Sequence, residues 1–148
     1  MVAVFATISA QHSLAQDSTQ SALLTTYYGI KDALVSSNAA GASAKAAEFI
    51  HAASIADEHT LPAENRIILI KEAVQISKST DLKQQRELFA GFSADMVTLA
   101  KAVKLSGNPV YQQFCPMKKA SWLSSSQVVK NPYFGSAMLT CGKVTETF

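Results

Sequence analysis

The chain has 148 residues, of which 48% are hydrophobic and 16% are charged. This composition is typical of a single globular domain and excludes an intrinsically disordered chain. The formal net charge is +2, and Lys118 and Lys119 are the only adjacent pair of cations, so no nucleic-acid-binding surface is expected.

The N-terminal segment MVAVFATISAQHSLAQ is apolar as far as Ala10 and then becomes small and polar. Ser13 and Ala15 stand three residues and one residue before a cut after Ala15, as at a signal-peptidase site. We interpret residues 1–15 as a signal peptide whose positively charged start is truncated or misassigned, and residues 16–148 as one domain. The alternative is a short apolar helix on the domain. A signal peptide predicts a periplasmic or secreted protein, and no stretch is long and apolar enough to span a bilayer.

Helical periodicity extends from Thr19 to Lys104 and predicts four helices joined by short connections. Asn38 and Asp81 are expected to cap the second and fourth helices, and Gly107 with Pro109 ends the fourth. The expected buried positions are Leu23, Tyr27, Ile30 and Leu34; Ala42, Ala46, Phe49, Ala53 and Ala56; Ile67, Ile70 and Val74; and Leu82, Phe89, Phe92, Met96, Leu99 and Val103, with Gln85 as the polar position in the fourth helix.

Helical periodicity fades in residues 109–148, where VYQQF is β-prone and NPYFG is typical of a turn. We therefore predict an all-α fold, an antiparallel up-down four-helix bundle, with this segment as an irregular C-terminal tail packed on it. A tail of this length needs anchors. The candidates are a cross-link between its ends and the aromatic residues Tyr111, Phe114, Trp122, Tyr133 and Phe134.

The tail carries VYQQFCPM, then WL, then NPYFGSAMLTCGKV, and the helical part carries YYGIKDALVSSNAAGASAKAAEF. Over roughly residues 20 to 146 the chain resembles a family of small exported bacterial proteins of unknown function (domain of unknown function 3347). The tail motif is the more specific part of this resemblance. Related domains are attached to periplasmic adaptor subunits of heavy-metal efflux pumps. The resemblance therefore implies export and a link to copper or other heavy-metal handling.

The only two cysteines, Cys115 and Cys141, each lie within three residues of a methionine, Met117 or Met138. Thiolates and thioethers are soft ligands that favour Cu(I), so one hypothesis is a four-sulfur metal site. The alternative is a disulfide, which an oxidising compartment favours. It would close a loop of about 27 residues. By reducing the conformational entropy of the unfolded chain, this cross-link would stabilise the folded state by about 3.5 kcal/mol. Two reduced, buried cysteines are the third interpretation.

Other candidate sites are weaker. His51 and His59 are expected to face solvent, and the adjacent Asp57, Glu58 and His59 do not converge by adjacency alone. The sequence contains no Gly-rich phosphate loop, HExxH or GxSxG motif, so we predict no enzyme and no catalytic residue.

We therefore predict a non-enzymatic, exported binding or interaction module in copper or heavy-metal handling in the cell envelope. Its candidate ligand is Cu(I), and its candidate partner is a heavy-metal efflux protein or another envelope protein. The alternative is a purely structural or protein-interaction domain with a Cys115–Cys141 disulfide and no metal.

Overall fold

In the part of the chain that the structure describes, four α-helices are followed by a small antiparallel sheet. The computed structural model describes the backbone of residues 11–148 and the side chains of residues 22–148. Most of the predicted signal peptide lies outside the described residues. The helices are α1 (Gln11–Val35), α2 (Ala39–Ile55), α3 (Ala63–Lys78) and α4 (Leu82–Ala102), and the strands are β1 (Tyr111–Cys115), β2 (Ala120–Ser124) and β3 (Lys143–Thr147).

The helices pack through the apolar faces that their periodicity indicates. The predicted stripes of the first and second helices are confirmed, since all of their residues are buried, and Phe89, Phe92, Met96 and Leu99 of α4 are fully buried. The predicted stripe of α3 is only partly correct, because Ile70 packs against the core and Val74 is partly buried, but Ile67 faces solvent. Ile67 is 70% exposed, and the buried residues of α3 are Leu69, Ala73 and Ile76.

Polar side chains fix the helix ends. Asn38 and Asp81 are confirmed as caps, because each side chain accepts the backbone N–H three residues on, at 2.8 and 2.6 Å. The fully buried Gln85 donates to the backbone oxygens of Ala39, at 2.9 Å, and Ser79, at 2.8 Å. Gln85 thus ties α4 to the start of α2 and the end of α3. None of the described helices is long and apolar enough to cross a membrane.

The prediction of an all-α four-helix bundle with an irregular tail is wrong, because residues 109–148 contain a three-stranded sheet and the fold is mixed α/β. The strand order is β2-β1-β3, with β1 antiparallel to both neighbours. Each strand has only five residues, and all five residues of β3 are exposed. A strand so short and so exposed has no hydrophobic alternation by which a sequence pattern could reveal it.

The buried hydroxyl of Tyr27 joins the helices to the sheet. It lies 2.7 Å from Ser93 Oγ of α4, and it accepts the backbone N–H of Leu123 in β2 at 3.0 Å. Since β2 is an edge strand, this N–H points away from β1 and needs a partner elsewhere. Burial raises the pKa of Tyr27 far above its usual value of 10, so the hydroxyl remains neutral.

Replacing Tyr27 by phenylalanine tests this junction. Tyr27→Phe leaves the buried Leu123 N–H without its acceptor and should lower the free energy of unfolding by about 1–3 kcal/mol, measured by urea denaturation. Ser93→Ala should cost less, because Leu123 keeps its partner. The double variant should show that the two changes are not additive. A Tyr27→Phe protein within about 0.5 kcal/mol of wild type would contradict the assigned role.

Two carboxyl groups meet between α3 and α4. Glu72 is partly buried, one of its oxygens has no hydrogen-bond partner among the described atoms, and Asp95 of α4 faces it. Burial and the neighbouring Asp95 raise the pKa of Glu72 from 4.5 to about 7. Between these two values the folded chain therefore holds more protons than the unfolded chain. The stability that protonated Glu72 contributes is fully present below the unfolded-state pKa of 4.5, and it is lost as the pH rises through the folded-state pKa of about 7.

We expect the free energy of unfolding to fall by about 1–2 kcal/mol between pH 5 and pH 8, less than the full pKa shift would give, because solvent screens a half-buried carboxyl group. Glu72→Gln should remove this part of the slope, as followed by urea midpoints at several pH values. The control Glu58→Gln, at an exposed position, should retain it. An unchanged slope in Glu72→Gln would refute the assignment.

Candidate functional site

The antiparallel register of β1 and β3 brings the two cysteines together. Phe114 of β1 pairs with Lys143 of β3, so Cys115 at the end of β1 faces the residues that precede β3. Cys141 is one of these residues, and the two Sγ atoms are 3.0 Å apart. Neither cysteine is disulfide-bonded. The Cys115 side chain is fully buried, whereas Cys141 remains partly exposed.

A glycine allows this approach. Gly142 has φ +147°, a conformation that L side chains rarely adopt. A Cβ atom at this position would lie 2.9 Å from Cη2 of Trp122 and 3.1 Å from the backbone oxygen of Phe114. The chain between Cys141 and β3 can therefore lie against β1 and the buried indole only because residue 142 has no side chain.

Asn131 organises the segment that carries Cys141. Its buried side-chain amide donates to the Cys141 backbone oxygen at 2.7 Å, and its side-chain oxygen accepts the N–H groups of Tyr133 and Phe134 at 2.8 and 3.2 Å. Its own backbone N–H donates to the Leu139 oxygen at 2.7 Å. Asn131 thus joins the start of the segment between residues 131 and 141 to its end. No role for Asn131 was predicted from the sequence, although an asparagine before proline in a turn-like segment was a usable signal.

Arg86 of α4 anchors the same loop to the helices. Its guanidinium donates to the backbone oxygens of Pro132, at 2.9 Å, and of Leu34 at the end of α1, at 2.7 Å. Gly135 has φ +54°, and a Cβ atom there would lie 2.6 Å from this guanidinium. The loop therefore rests on a cation that also satisfies a helix C-terminus.

The two thiols are electrostatically unequal. Burial disfavours the charged form of Cys115, but contact with Cys141, the N–H groups of Lys118 and Met117 and the Asn131 amide outweigh it and lower the pKa of Cys115. Contact with Cys115 is the main reason that the pKa of Cys141 is raised. The contact between the two thiols therefore shifts their pKa values in opposite directions, and the two groups titrate as a coupled pair.

The predicted methionines lie at the same end of the sheet. Met117 stands in the β1–β2 turn, and its N–H faces both sulfur atoms. The backbone oxygen of Met138 accepts the Cys141 N–H at 3.1 Å. Their side chains are 68% and 37% exposed. The structure thus brings the two cysteine sulfurs into contact and leaves the side chains of both methionines exposed.

The other predicted positions are placed elsewhere. His51 and His59 are exposed, as predicted. The Asp57 carboxylate accepts the Thr60 N–H at 2.9 Å and its hydroxyl at 3.1 Å, and that N–H lowers the pKa of Asp57. In the part of the chain that the structure describes, no group of three or more histidine, cysteine, aspartate or glutamate residues could hold a metal ion.

Comparison with known proteins gives one match, to a family described as a protein of unknown function, DUF3347, over residues 23–108. This range is more than half of the chain and covers most of the helical part. It ends before β1, so the cysteine segments, which carried the more specific part of the resemblance in the sequence, lie outside it. No curated protein and no solved structure matches the chain.

Substitution of Asn131 tests how the Cys141 loop is held. Asn131→Ala removes the acceptor of Tyr133 N–H and the donor to Cys141 oxygen, leaving buried backbone groups unpaired. It should lower the free energy of unfolding by about 2–4 kcal/mol in urea denaturation. The control Asn108→Ala, at an exposed position, should stay within about 0.5 kcal/mol of wild type. Equal stability of the two variants would contradict the role of Asn131.

Proposed function

We propose that this chain, which belongs to the family of proteins of unknown function DUF3347, is a non-enzymatic binding module of the cell envelope whose ligand is Cu(I). The Cys115 and Cys141 thiolates would supply the primary ligands, and the Met117 and Met138 thioethers would complete the set. Soft sulfur donors are the ligands that select this ion, and the bound ion would be held as cargo.

The observation that carries this proposal is that the two cysteine sulfurs lie 3.0 Å apart at the partly exposed end of the sheet, so that a small separation of the two segments would let both bind one ion. Metal ligands must lose their protons, and the pKa of Cys115 is already lowered by its surroundings. The exposure of Met117 and Met138 leaves their side chains free of the core packing that methionines usually serve. They are therefore available as ligands.

Location and partner form the second part of the proposal. A signal peptide in residues 1–15 would export the domain, and the resemblance to domains on heavy-metal efflux adaptors favours a partner among the efflux or other envelope proteins. In that setting the domain would receive or deliver a metal ion and would catalyse no reaction.

Titration of the reduced protein with Cu(I), against a competing chelator and without oxygen, tests the ligand set. Met117→Leu and Met138→Leu should each weaken binding by about tenfold or more, which corresponds to about 1.4 kcal/mol. The matched control is Met96→Leu, which removes a thioether from the core of α4 and should leave the affinity unchanged.

Two further results separate the possible sites. If neither surface methionine affects affinity but a Cys115→Ser/Cys141→Ser variant abolishes binding, the four-sulfur site is wrong and a two-thiolate site remains. If the double cysteine variant binds as tightly as wild type, the proposed site is wrong altogether.

A structural role with a Cys115–Cys141 disulfide is the second candidate, and the same contact favours it. The sulfurs need to approach by only about 1 Å to reach the bond length of about 2.05 Å. Such a bond would join the end of β1 to the residues before β3 and would reinforce a sheet of three short strands.

The disulfide and the resting dithiol can be distinguished by a thiol count. The protein is exported to a periplasm, purified and denatured without a reductant, and its free thiols are then counted. The disulfide predicts no titratable thiol, whereas a resting dithiol predicts two. A count of two thiols would exclude the disulfide as the resting state. A count of zero thiols would exclude a permanently reduced metal site.

A further inference from the structure

The two sulfurs of the pair differ in access. Cys115 is fully buried beneath the β1–β2 turn, whereas Cys141 is partly exposed on the loop before β3. A nucleophile attacks a disulfide sulfur in line with the bond, from the side opposite to the leaving sulfur. At Cys115 that side is closed by protein. Of the two residues, only Cys141 therefore has surface that a molecule from solvent can reach.

We infer that Cys141 is a thiol-exchange site, at which a small-molecule thiol opens the Cys115–Cys141 disulfide by attacking Cys141 Sγ and expelling Cys115. The inference rests on the disulfide candidate of the proposed function and adds its regulation. It connects the two states of the same site, since opening the disulfide produces the dithiol that would bind Cu(I).

The exchange balances as two thiolate displacements. The incoming thiolate forms an S–S bond to Cys141 while the Cys141–Cys115 bond breaks, and the electron pair of that bond remains on Cys115 as a thiolate. A second small thiolate then attacks the incoming sulfur of the mixed disulfide and releases Cys141 as a thiolate. In total the protein disulfide gains two electrons, and two small thiols are oxidised to their own disulfide.

The surroundings of Cys115 suit it as the leaving group. The N–H groups of Lys118 and Met117 and the Asn131 amide lie next to Cys115 Sγ, where they can donate hydrogen bonds to the thiolate that forms when the bond breaks. These donors belong to the folded turn and loop, so they are in place before the bond breaks. Attack at Cys115 would instead have to pass through the protein that buries this residue.

Mapping the mixed disulfide tests this direction. The full chain, oxidised and shown to contain no free thiol, is mixed with reduced glutathione. The reaction is stopped with acid at short times, the free thiols are blocked with N-ethylmaleimide, and the peptides are analysed by mass spectrometry. Glutathione should be found on Cys141 at least about tenfold more often than on Cys115. In the oxidised protein unfolded in urea, the label should divide about evenly, because the fold no longer shields Cys115.

Each outcome bears on a separate claim. Glutathione mainly on Cys115, or divided evenly in the folded protein, would overturn the inference and leave the disulfide intact as a candidate. Free thiols that persist after oxidation would overturn the disulfide and the exchange with it. Neither outcome affects the Cu(I) titration of the reduced protein.

Discussion

The outward-facing amide of the edge strand β2 is paired with a buried tyrosine hydroxyl, and the position of the sheet depends on this contact. Tyr27 of α1 accepts the Leu123 N–H while it contacts Ser93 of α4, so a single hydroxyl joins two helices and a strand. Any shift of β2 by one residue would bury an unpaired N–H group. The contact thus sets the register of the sheet on the helices, and with it the position of Cys115 at the end of β1.

The cysteine pair is positioned by polar contacts and missing side chains more than by hydrophobic packing. Asn131 closes the loop, Arg86 holds it on the helices, and Gly142 lets it approach the sheet. Such contacts are directional, so they determine the distance between two sulfurs more sharply than apolar burial does. The Asn131 amide is also one of the groups that lower the pKa of Cys115, together with the N–H groups of Lys118 and Met117 in the β1–β2 turn. The Asn131 side chain therefore both positions Cys141 and affects the pKa of Cys115.

The helical part could be predicted from the sequence because burial repeats along a helix with a fixed period. The α3 stripe was partly misplaced because isoleucines at 67, 68 and 70 and Leu69 form a continuous apolar run, which periodicity alone cannot orient. The sheet was missed because its strands are short and β3 is exposed. The meeting of Cys115 and Cys141 was predicted from their places at the two ends of the tail, whereas Asn131 acts through contacts that the sequence does not display.

Hydrogen exchange at the Leu123 amide tests the central claim most directly. Outward-facing amides of edge strands normally exchange with solvent quickly. If Tyr27 holds this amide in the interior, it should exchange only when the domain unfolds globally, as slowly as the core amides of α4. Exchange at the rate of an exposed loop would contradict the account, because the sheet would then not be joined to the helices in the way described.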